Sequence, residues 1–198
     1  SIPSSQCLVY PYALDNKSSH QYLMVSKHSE NNIGEGNACL VASEEDLRYR
    51  HRKSVARVEV KRLDEILESY GGTSDITINY MKIDAEGHDS LVIRGMGEYL
   101  SCVEFLQFEL NAMIRDIPDA SSTPFKDIVS HLDSKDFNCY LLGVRSCIKL
   151  NGESWDDVYN TLECINGALD IFVAAKSNTV IEQITNKSGH WLPLEEIF

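Results

Sequence analysis

Three carboxylates follow two strand-like segments near the middle of the chain, at or near the point where each segment ends. Asp84 and Glu86 come directly after the apolar run at residues 78–83, and Glu109 lies near the end of the next run, residues 103–110. Ligands of open parallel sheets bind beyond the carboxyl ends of the strands. We therefore predict that the three carboxylates face one crevice, where they can orient a hydroxyl, accept its proton, hold a divalent cation, or bind cofactor hydroxyls and amines.

The turn that follows residues 78–83 has two interpretations. If the strand conformation persists, Asp84 and Glu86 project to the same side of the chain, and Gly87 then permits a turn with positive φ into the next helix. In the alternative, the two carboxylates cap that helix and complement its dipole. The residue types alone do not choose between a chemical role and a capping role.

Two basic or titratable side chains flank the same turn. Lys82 lies in a strand that we expect to be buried, where a lysine needs a partner such as Glu109 or a phosphate-like ligand unless it reaches solvent at the sheet edge. His88 is a candidate general base, but its place in the first turn of a helix predicts an exposed side chain. Lys82 therefore joins the three carboxylates as a candidate catalytic residue.

The elements that must position these residues alternate between strand-like and helix-like patterns. Apolar runs predict strands at residues 7–14, 21–26, 38–42, 55–60, 78–83, 103–110, 138–142 and 170–175. Apolar residues spaced by three and four predict helices at residues 63–70, 91–96 and 125–132. The alternation predicts an α/β fold with a mostly parallel sheet that helices cover on both faces.

Three segments depart from this alternation. Residues 21–26 and 38–42 flank a polar stretch and predict a hairpin with a long loop. Residues 44–54 are densely charged and predict a solvated helix or loop. Residues 143–167 are longer than an ordinary connection, which predicts a functional loop or an insertion, and the last strand is expected to pair antiparallel with the strand before it.

Composition bounds the class of protein. The chain has 198 residues, of which 43% are hydrophobic, and this suits one domain with one core. A formal net charge of -12 argues against nucleic acid or an anionic membrane surface as a partner. No apolar run approaches the ~20 residues of a membrane span, and no signal peptide is visible, so we predict no membrane contact and favour a cytoplasmic location.

Cysteine spacing argues against a zinc site. The chain has no CxxC pair and no CxxC…HxxxH set, and its cysteines are Cys7, Cys39, Cys102, Cys139, Cys147 and Cys164. Several of them lie within apolar, strand-like runs, where a free cysteine behaves as a small hydrophobic residue. We therefore predict reduced, buried thiols.

The segments VKRLDEIL, INYMKIDAEGHDSLVIRGM and LQFELN, taken together, resemble the most diagnostic stretch of the FkbM-type methyltransferases. That family shows a helix start like TLDEL, a strand and turn like LKIDVEGAE, a helix with L-x-G, and a strand that closes on glutamate. The resemblance runs from about Val60 to Asn111. Asp89 stands where a glutamate is common in the family; this difference keeps the negative charge and shortens the side chain. The residues that match the family's recurrent positions are Lys82, Asp84, Glu86, Gly87 and Glu109.

The resemblance implies a Rossmann-like class I methyltransferase fold with S-adenosyl-L-methionine as its cofactor. It also implies methyl transfer, in this family usually to an oxygen, with a small molecule or a glycan hydroxyl as the acceptor. The N-terminal strand would be the third strand of that fold, whose end lies near the adenine ring, so Ala13 and Leu14 are candidate cofactor contacts together with Asp84. The catalytic residues that the resemblance implies are Lys82, Asp84, Glu86 and Glu109.

Two parts of the family pattern are missing. A glycine-rich loop like DVGANIG and the acidic residue that closes the second strand do not occur in the sequence. Gly34-Glu35-Gly36 precedes no helical pattern, and Gly95-Met96-Gly97 lies at the end of a helix, so neither replaces that loop. We therefore expect residues 1–198 to be a single partial domain that lacks its first two strands, exposes an unpaired edge at residues 78–83, and extends upstream of Ser1 in the native protein.

Two other functions compete with methyl transfer. A non-catalytic α/β interaction module derived from the same fold would not bind the methyl donor. A divalent-metal hydrolase that uses Asp84, Glu86 and Glu109 would show metal-dependent turnover without a methyl donor. The lack of a supporting histidine cluster argues against this third function.

Overall fold

The structure, a computed structural model, describes residues 7–25, 38–41, 54–111, 125–143, 147–159 and 168–178. The described strands are β1 (Ala13–Leu14), β2 (Ser19–Val25), β3 (Ala38–Val41), β4 (Ser54–Lys61), β5 (Ile78–Ile83), β6 (Val103–Asn111), β7 (Phe137–Leu142), β8 (Cys147–Lys149) and β9 (Ala168–Ala175). The described α-helices are α1 (Leu63–Glu68), α2 (Asp89–Arg94) and α3 (Phe125–Ser134), and short 3-10 helices occupy Gly97–Cys102 and Gly152–Ser154. These elements form an α/β fold with two sheets.

The first sheet has four strands in the order β1, β4, β2, β3. β2 pairs antiparallel with β3 and with β4, which confirms the predicted hairpin, and β1 pairs parallel with β4. The predicted strand at residues 7–14 is shortened to Ala13 and Leu14, because Pro11 has no N–H to donate and Leu8 stays exposed. Among the described residues, β1 is therefore a short edge strand.

The second sheet has five strands in the order β5, β6, β9, β7, β8. β5 and β6 are parallel, whereas β9 lies between β6 and β7 and is antiparallel to both, as predicted for the last strand. The prediction of a mostly parallel sheet is wrong, because both sheets are mixed. Parallel neighbours need a crossover connection, and the described residues between β7 and β9 form β8 and a 3-10 turn rather than a helix.

The other predicted elements lie close to their expected bounds. β5 has the predicted bounds, and β6, β7 and β9 extend slightly beyond theirs. α1 ends earlier than predicted, and the chain then turns through Gly71, whose φ is 150°. Of the charged segment at residues 44–54, the structure describes Ser54 alone. Gly34-Glu35-Gly36 also lies outside the described residues. The long segment at residues 143–167 contains β8 and the 3-10 helix Gly152–Ser154.

One face of the second sheet carries the core. α2 and α3 contribute apolar side chains to a single cluster with this face. The cluster members that are at most 3% exposed include Val92, Ile93, Met96, Leu106, Phe108, Ile128, Val129, Leu132, Cys139, Leu141, Ile171 and Val173. Truncating such a large side chain to alanine costs roughly 2–5 kcal/mol, so this cluster contributes strongly to the stability of the sheet that carries β5 and β6.

The opposite face of the second sheet carries a row of polar side chains from β5 to β9, beside the ring contact between Phe105 and Phe172. Tyr80 Oη donates a hydrogen bond to Gln107 Oε1 at 2.6 Å, and Gln107 Nε2 donates one to Asp170 Oδ1 at 2.8 Å. Lys82 lies two residues along β5 from Tyr80, and its side chain is 51% exposed. The expectation that Lys82 lies in a buried strand is therefore wrong, and the alternative, that it reaches solvent at the sheet edge, is confirmed, because β5 is an edge strand of the described sheet.

The two sheets meet where α2 ends. The backbone amide of Asp64, at the start of α1, donates a hydrogen bond to the Gly95 carbonyl at 3.0 Å. The Asp15 amide, directly after β1, donates one to the Lys61 carbonyl at 3.1 Å. The first bond joins α1 to the residue that ends α2, and the second joins the end of β1 to β4, which leads directly into α1. The end of β1 is thereby held near the turn that follows β5.

Candidate active site

A cavity of about 770 Å³ lies between β1 and β5, the strands at the edges of the two sheets. Ala13 and Leu14 line it from β1, and Lys82, Asp84 and Glu86 line it from β5 and the turn that follows. Apolar side chains complete much of the wall, among them Leu23, Leu40, Leu63, Met81 and Val92. The structure thus brings the predicted cofactor contacts and three of the four predicted catalytic residues to one cavity.

The turn after β5 departs from a strand at once. β5 ends at Ile83, Glu86 has φ of 49° and Gly87 has φ of 102°, so the predicted positive φ of Gly87 is confirmed and extends to its neighbour. A left-handed residue other than glycine costs roughly 1–3 kcal/mol and concentrates at functional sites. Asp84 and Glu86 are therefore placed by a tight turn, and the condition under which their spacing sets them on the same side, a strand that persists to Glu86, is not met.

The capping interpretation of these carboxylates is not supported. The residue that precedes the first helical position of α2 is His88, and no side chain makes a capping hydrogen bond there. The acidic residue in the first turn of α2 is Asp89 rather than Asp84 or Glu86. The two carboxylates remain at the cavity wall, where their oxygens can contact a ligand.

Asp89 is buried and holds this turn from below. Its carboxylate accepts hydrogen bonds from the backbone amides of Ala85 and Gly87, both at 3.3 Å, and from that of Glu109 at 3.2 Å. Burial raises the pKa of Asp89, and the hydrogen bonds from these amides oppose that rise. The sequence pattern indicated only that Asp89 keeps a negative charge, and its contact with the end of β6 was not predicted.

Lys82 is paired with Asp84. Lys82 Nζ lies 3.0 Å from Asp84 Oδ2, and this hydrogen bond raises the pKa of Lys82, reinforced by the charges of Asp84, Asp170 and Glu109. Glu109, the carboxylate expected as a partner of Lys82, contributes through charge, and the direct contact is made by Asp84, which was not predicted. The positively charged ammonium group of Lys82 reduces the repulsion among the neighbouring carboxylates.

Glu109 lies at the end of β6, opposite Asp170 of β9, and does not line the cavity. Burial raises the pKa of the Glu109 carboxyl, and the charges of Asp84, Glu86, Asp89 and Asp170 raise it further. Of the three carboxylates predicted to face one crevice, Asp84 and Glu86 line the cavity, whereas Glu109 shares only the electrostatic environment of the turn after β5.

His88 is buried, so the prediction of an exposed side chain is wrong. It is 3% exposed because the start of α2 packs against the end of β1, where Asp15 is also buried at 5%. His88 Nδ1 lies 3.4 Å from Asp15 Oδ2, a close electrostatic contact without the alignment of a good hydrogen bond. Asp15 and Asn16 form a turn-prone pair in the sequence, and no pattern near them predicts a contact with His88.

The remaining expectations concern metals, membranes and thiols. Within the described ranges, no group of three or more His, Cys, Asp or Glu side chains could hold a metal ion, and no helix is long and apolar enough to cross a membrane.

Cys139 is a free, buried thiol whose pKa is raised by burial to about 12. Cys7 is free and exposed, which corrects the expectation of burial, and Cys102 and Cys147 are free and partly buried. The side chain of Cys39 and all of Cys164 lie outside the described part.

Residues 7–139 match the model of a known protein family, the Methyltransferase FkbM domain. The matched region spans more than half of the chain and contains β1, β5, β6 and all the residues named above as lining the cavity. Comparison with curated proteins and with solved structures gives no significant match. The chain therefore belongs to the FkbM methyltransferase domain family.

Proposed function

We propose that this protein is an S-adenosyl-L-methionine-dependent methyltransferase of Rossmann-like class I fold that methylates a hydroxyl oxygen of a small molecule or a glycan. The observation that carries the proposal is the cavity between β1 and β5, which sets Ala13 and Leu14 opposite Asp84 within the family-matched region. Two supports are independent of each other: the family match concerns the sequence, and the cavity concerns the geometry.

The cavity is suited to the proposed methyl donor. Its volume of about 770 Å³ lies in the range of small-molecule sites. Ala13, Leu14 and Leu63 offer an apolar surface on which an adenine ring can lie, and Asp84 and Glu86 offer negative charge to the donor's amine and sulfonium. When bound, the donor supplies a methyl group activated by a positively charged sulfur.

The residues of this chain would orient the acceptor and take up its proton. Methylation of a hydroxyl oxygen releases the hydroxyl proton, and Asp84 and Glu86 are the carboxylates in the cavity wall that can accept it. Glu109 interacts electrostatically with these two carboxylates, and because its pKa is raised, it keeps a proton at a higher pH than an isolated carboxyl group does. Lys82 balances part of the negative charge through its contact with Asp84. Most of the acceleration would come from holding donor and acceptor in line.

The test is binding and turnover by the full chain. Calorimetry with S-adenosyl-L-methionine measures binding, and transfer of a labelled methyl group to a panel of sugars and polyols measures turnover. Asp84→Asn and Glu86→Gln should each lower turnover by roughly 100-fold without unfolding the protein, as expected for groups that act in the reaction. Glu104→Gln, which changes an exposed carboxyl on the same strand as Glu109, should leave both readouts unchanged.

Three outcomes separate the competing functions. Absence of donor binding by the full chain would favour the non-catalytic interaction module. Turnover that depends on a divalent cation and needs no methyl donor would favour a hydrolase. Unchanged methyl transfer in both cavity variants would remove Asp84 and Glu86 from the reaction, even if the donor binds.

A further inference from the structure

Asp89 joins the two elements that carry the candidate catalytic carboxylates. One of its oxygens, Oδ2, accepts the amide hydrogens of Ala85 and Gly87, which flank Glu86 in the turn after β5. The other oxygen, Oδ1, accepts the amide hydrogen of Glu109 at the end of β6. A single side chain is therefore bonded to the backbone of the turn after β5 and to the backbone at the end of the neighbouring strand β6.

The surroundings of Asp89 show that these amides are its main partners. The residue is 3% exposed, and within the described residues no lysine, arginine or histidine forms an ion pair with it. A buried carboxylate without a cation is costly unless hydrogen bonds satisfy its oxygens. Backbone amides fill that role here, and because they belong to two different segments, they cannot move apart without leaving the carboxylate unsatisfied.

The turn that Asp89 holds needs such a restraint. Glu86 has φ of 49°, a left-handed conformation that a residue other than glycine adopts only when its surroundings impose it. The amides on either side of Glu86 are the ones that bond to Asp89 Oδ2. Loss of these bonds would free the turn to relax, and the carboxylate of Glu86 would leave its place in the cavity wall.

We propose that Asp89 is a positioning residue: its carboxylate fixes Asp84 and Glu86 relative to Glu109 by clamping the turn after β5 to the end of β6. This inference rests on the proposed methyltransferase function, since it concerns the same site. Asp89 does not line the cavity. Its effect on catalysis passes through the backbone that it holds.

Asn and Glu in place of Asp89 separate positioning from packing. Asp89→Asn has nearly the same volume, but it keeps one acceptor oxygen and turns an amino group toward amides that need acceptors. Asp89→Glu keeps both acceptor oxygens and adds one methylene. The asparagine variant should therefore lose the clamp, and the glutamate variant should retain much of it.

The experiment combines hydrogen exchange with kinetics on the full chain. In Asp89→Asn, the amides of Ala85, Gly87 and Glu109 should exchange at least roughly tenfold faster than in the wild type, and amides of α3 should be unchanged. The kcat for methyl transfer should fall by roughly 100-fold, and the KM for S-adenosyl-L-methionine should change much less. Asp89→Glu should recover most of both the protection and the kcat.

The outcomes that overturn the inference are distinct from those that overturn the function. Wild-type exchange at the three amides in Asp89→Asn, or an unchanged kcat in that variant, would show that Asp89 does not position the site. If Asp89→Asn does not fold, hydrogen exchange in the wild type decides, because amides of Ala85, Gly87 and Glu109 that exchange as fast as unprotected amides would exclude the clamp. If the wild type neither binds nor uses the donor, the proposed function fails, and the exchange data still decide whether the clamp exists.

Discussion

Gly95 lies against the backbone of Asp15: a Cβ built at Gly95 would be 2.5 Å from the Asp15 carbonyl oxygen. The φ of Gly95 is -71°, which any residue adopts, so the glycine is needed for close approach rather than for conformational freedom. This approach sets the end of β1, and with it Ala13 and Leu14, against α2. The width of the cavity between β1 and β5 therefore depends on the absence of a side chain at one position.

Gly95→Ala is expected to destabilise the fold and weaken donor binding together. Backbone atoms, which cannot move aside as a flexible side chain can, block the added methyl group. We expect a loss of roughly 1–3 kcal/mol in the free energy of unfolding, measured by urea denaturation, and at least a severalfold weaker affinity for S-adenosyl-L-methionine.

Gly72→Ala is the matched control for this prediction. A Cβ at Gly72 would meet only side-chain atoms, the nearest of them the Asp75 carboxylate at 3.7 Å, which is ordinary van der Waals contact. We expect stability to change by less than about 1 kcal/mol and donor affinity to be unchanged. Equal effects of the two substitutions would contradict a special role for the contact between Gly95 and Asp15.

The raised pKa of Glu109 predicts the pH dependence of methyl transfer. Burial is the main cause of the rise, and the charges of Asp84, Glu86, Asp89 and Asp170 add to it. If activity needs the ionised carboxylates, the acid limb of kcat/KM should lie above the pH at which an ordinary glutamate titrates, about 4.3. The profile is measured with saturating S-adenosyl-L-methionine.

Asp170→Asn tests the sign of this effect. Asp170 faces Glu109 across β6 and β9 and does not line the cavity, so the substitution removes a negative charge and leaves the cavity wall in place. Loss of that charge makes ionisation of Glu109 easier, so the acid limb should move to lower pH. A limb that stays in place or moves upward would show that Glu109 does not control it.

The contact between Asp15 and His88 predicts how stability depends on pH. Burial acts to raise the pKa of Asp15, but the close contact with His88 and the hydrogen bonds from the Asn16 amide and Gln21 together outweigh it, so the pKa lies below its ordinary range. A carboxyl whose pKa is lowered by folding stabilises the fold above its unfolded-state pKa, and this stabilisation disappears as the pH falls toward the folded-state pKa. The contribution of Asp15 should therefore be complete at neutral pH and decline below about pH 4.

Urea denaturation of Asp15→Asn across this pH range measures the contribution. The free energy of unfolding of the variant should be lower than that of the wild type by roughly 1–3 kcal/mol at pH 7, and this difference should shrink as the pH falls. Asp127→Asn, which changes an exposed carboxyl of α3, should leave the pH dependence of the free energy of unfolding as it is in the wild type. A difference between Asp15→Asn and the wild type that is the same at all pH values would rule out the linkage.

Local patterns predicted the elements well where one segment carries its own signal. The bounds of β5 were predicted because an apolar run ends at an acidic, glycine-containing turn, and the hairpin of β2 and β3 because two apolar runs flank a polar stretch. The share of parallel strand pairs was overestimated, because whether two strands run parallel depends on which strands become neighbours. β9 enters between β6 and β7, and nothing within residues 168–175 specifies that place.

For the site, the sequence by itself determined the membership of the family, the turn at Asp84 to Gly87 and the residue types that could do chemistry. Tertiary structure alone decided that Lys82 is exposed, that His88 is buried beside Asp15, and that Asp89 binds amides of two segments. The physical reason is that exposure and hydrogen bonding depend on what covers a residue. That cover comes from elements far away in the chain, and no short-range pattern encodes it.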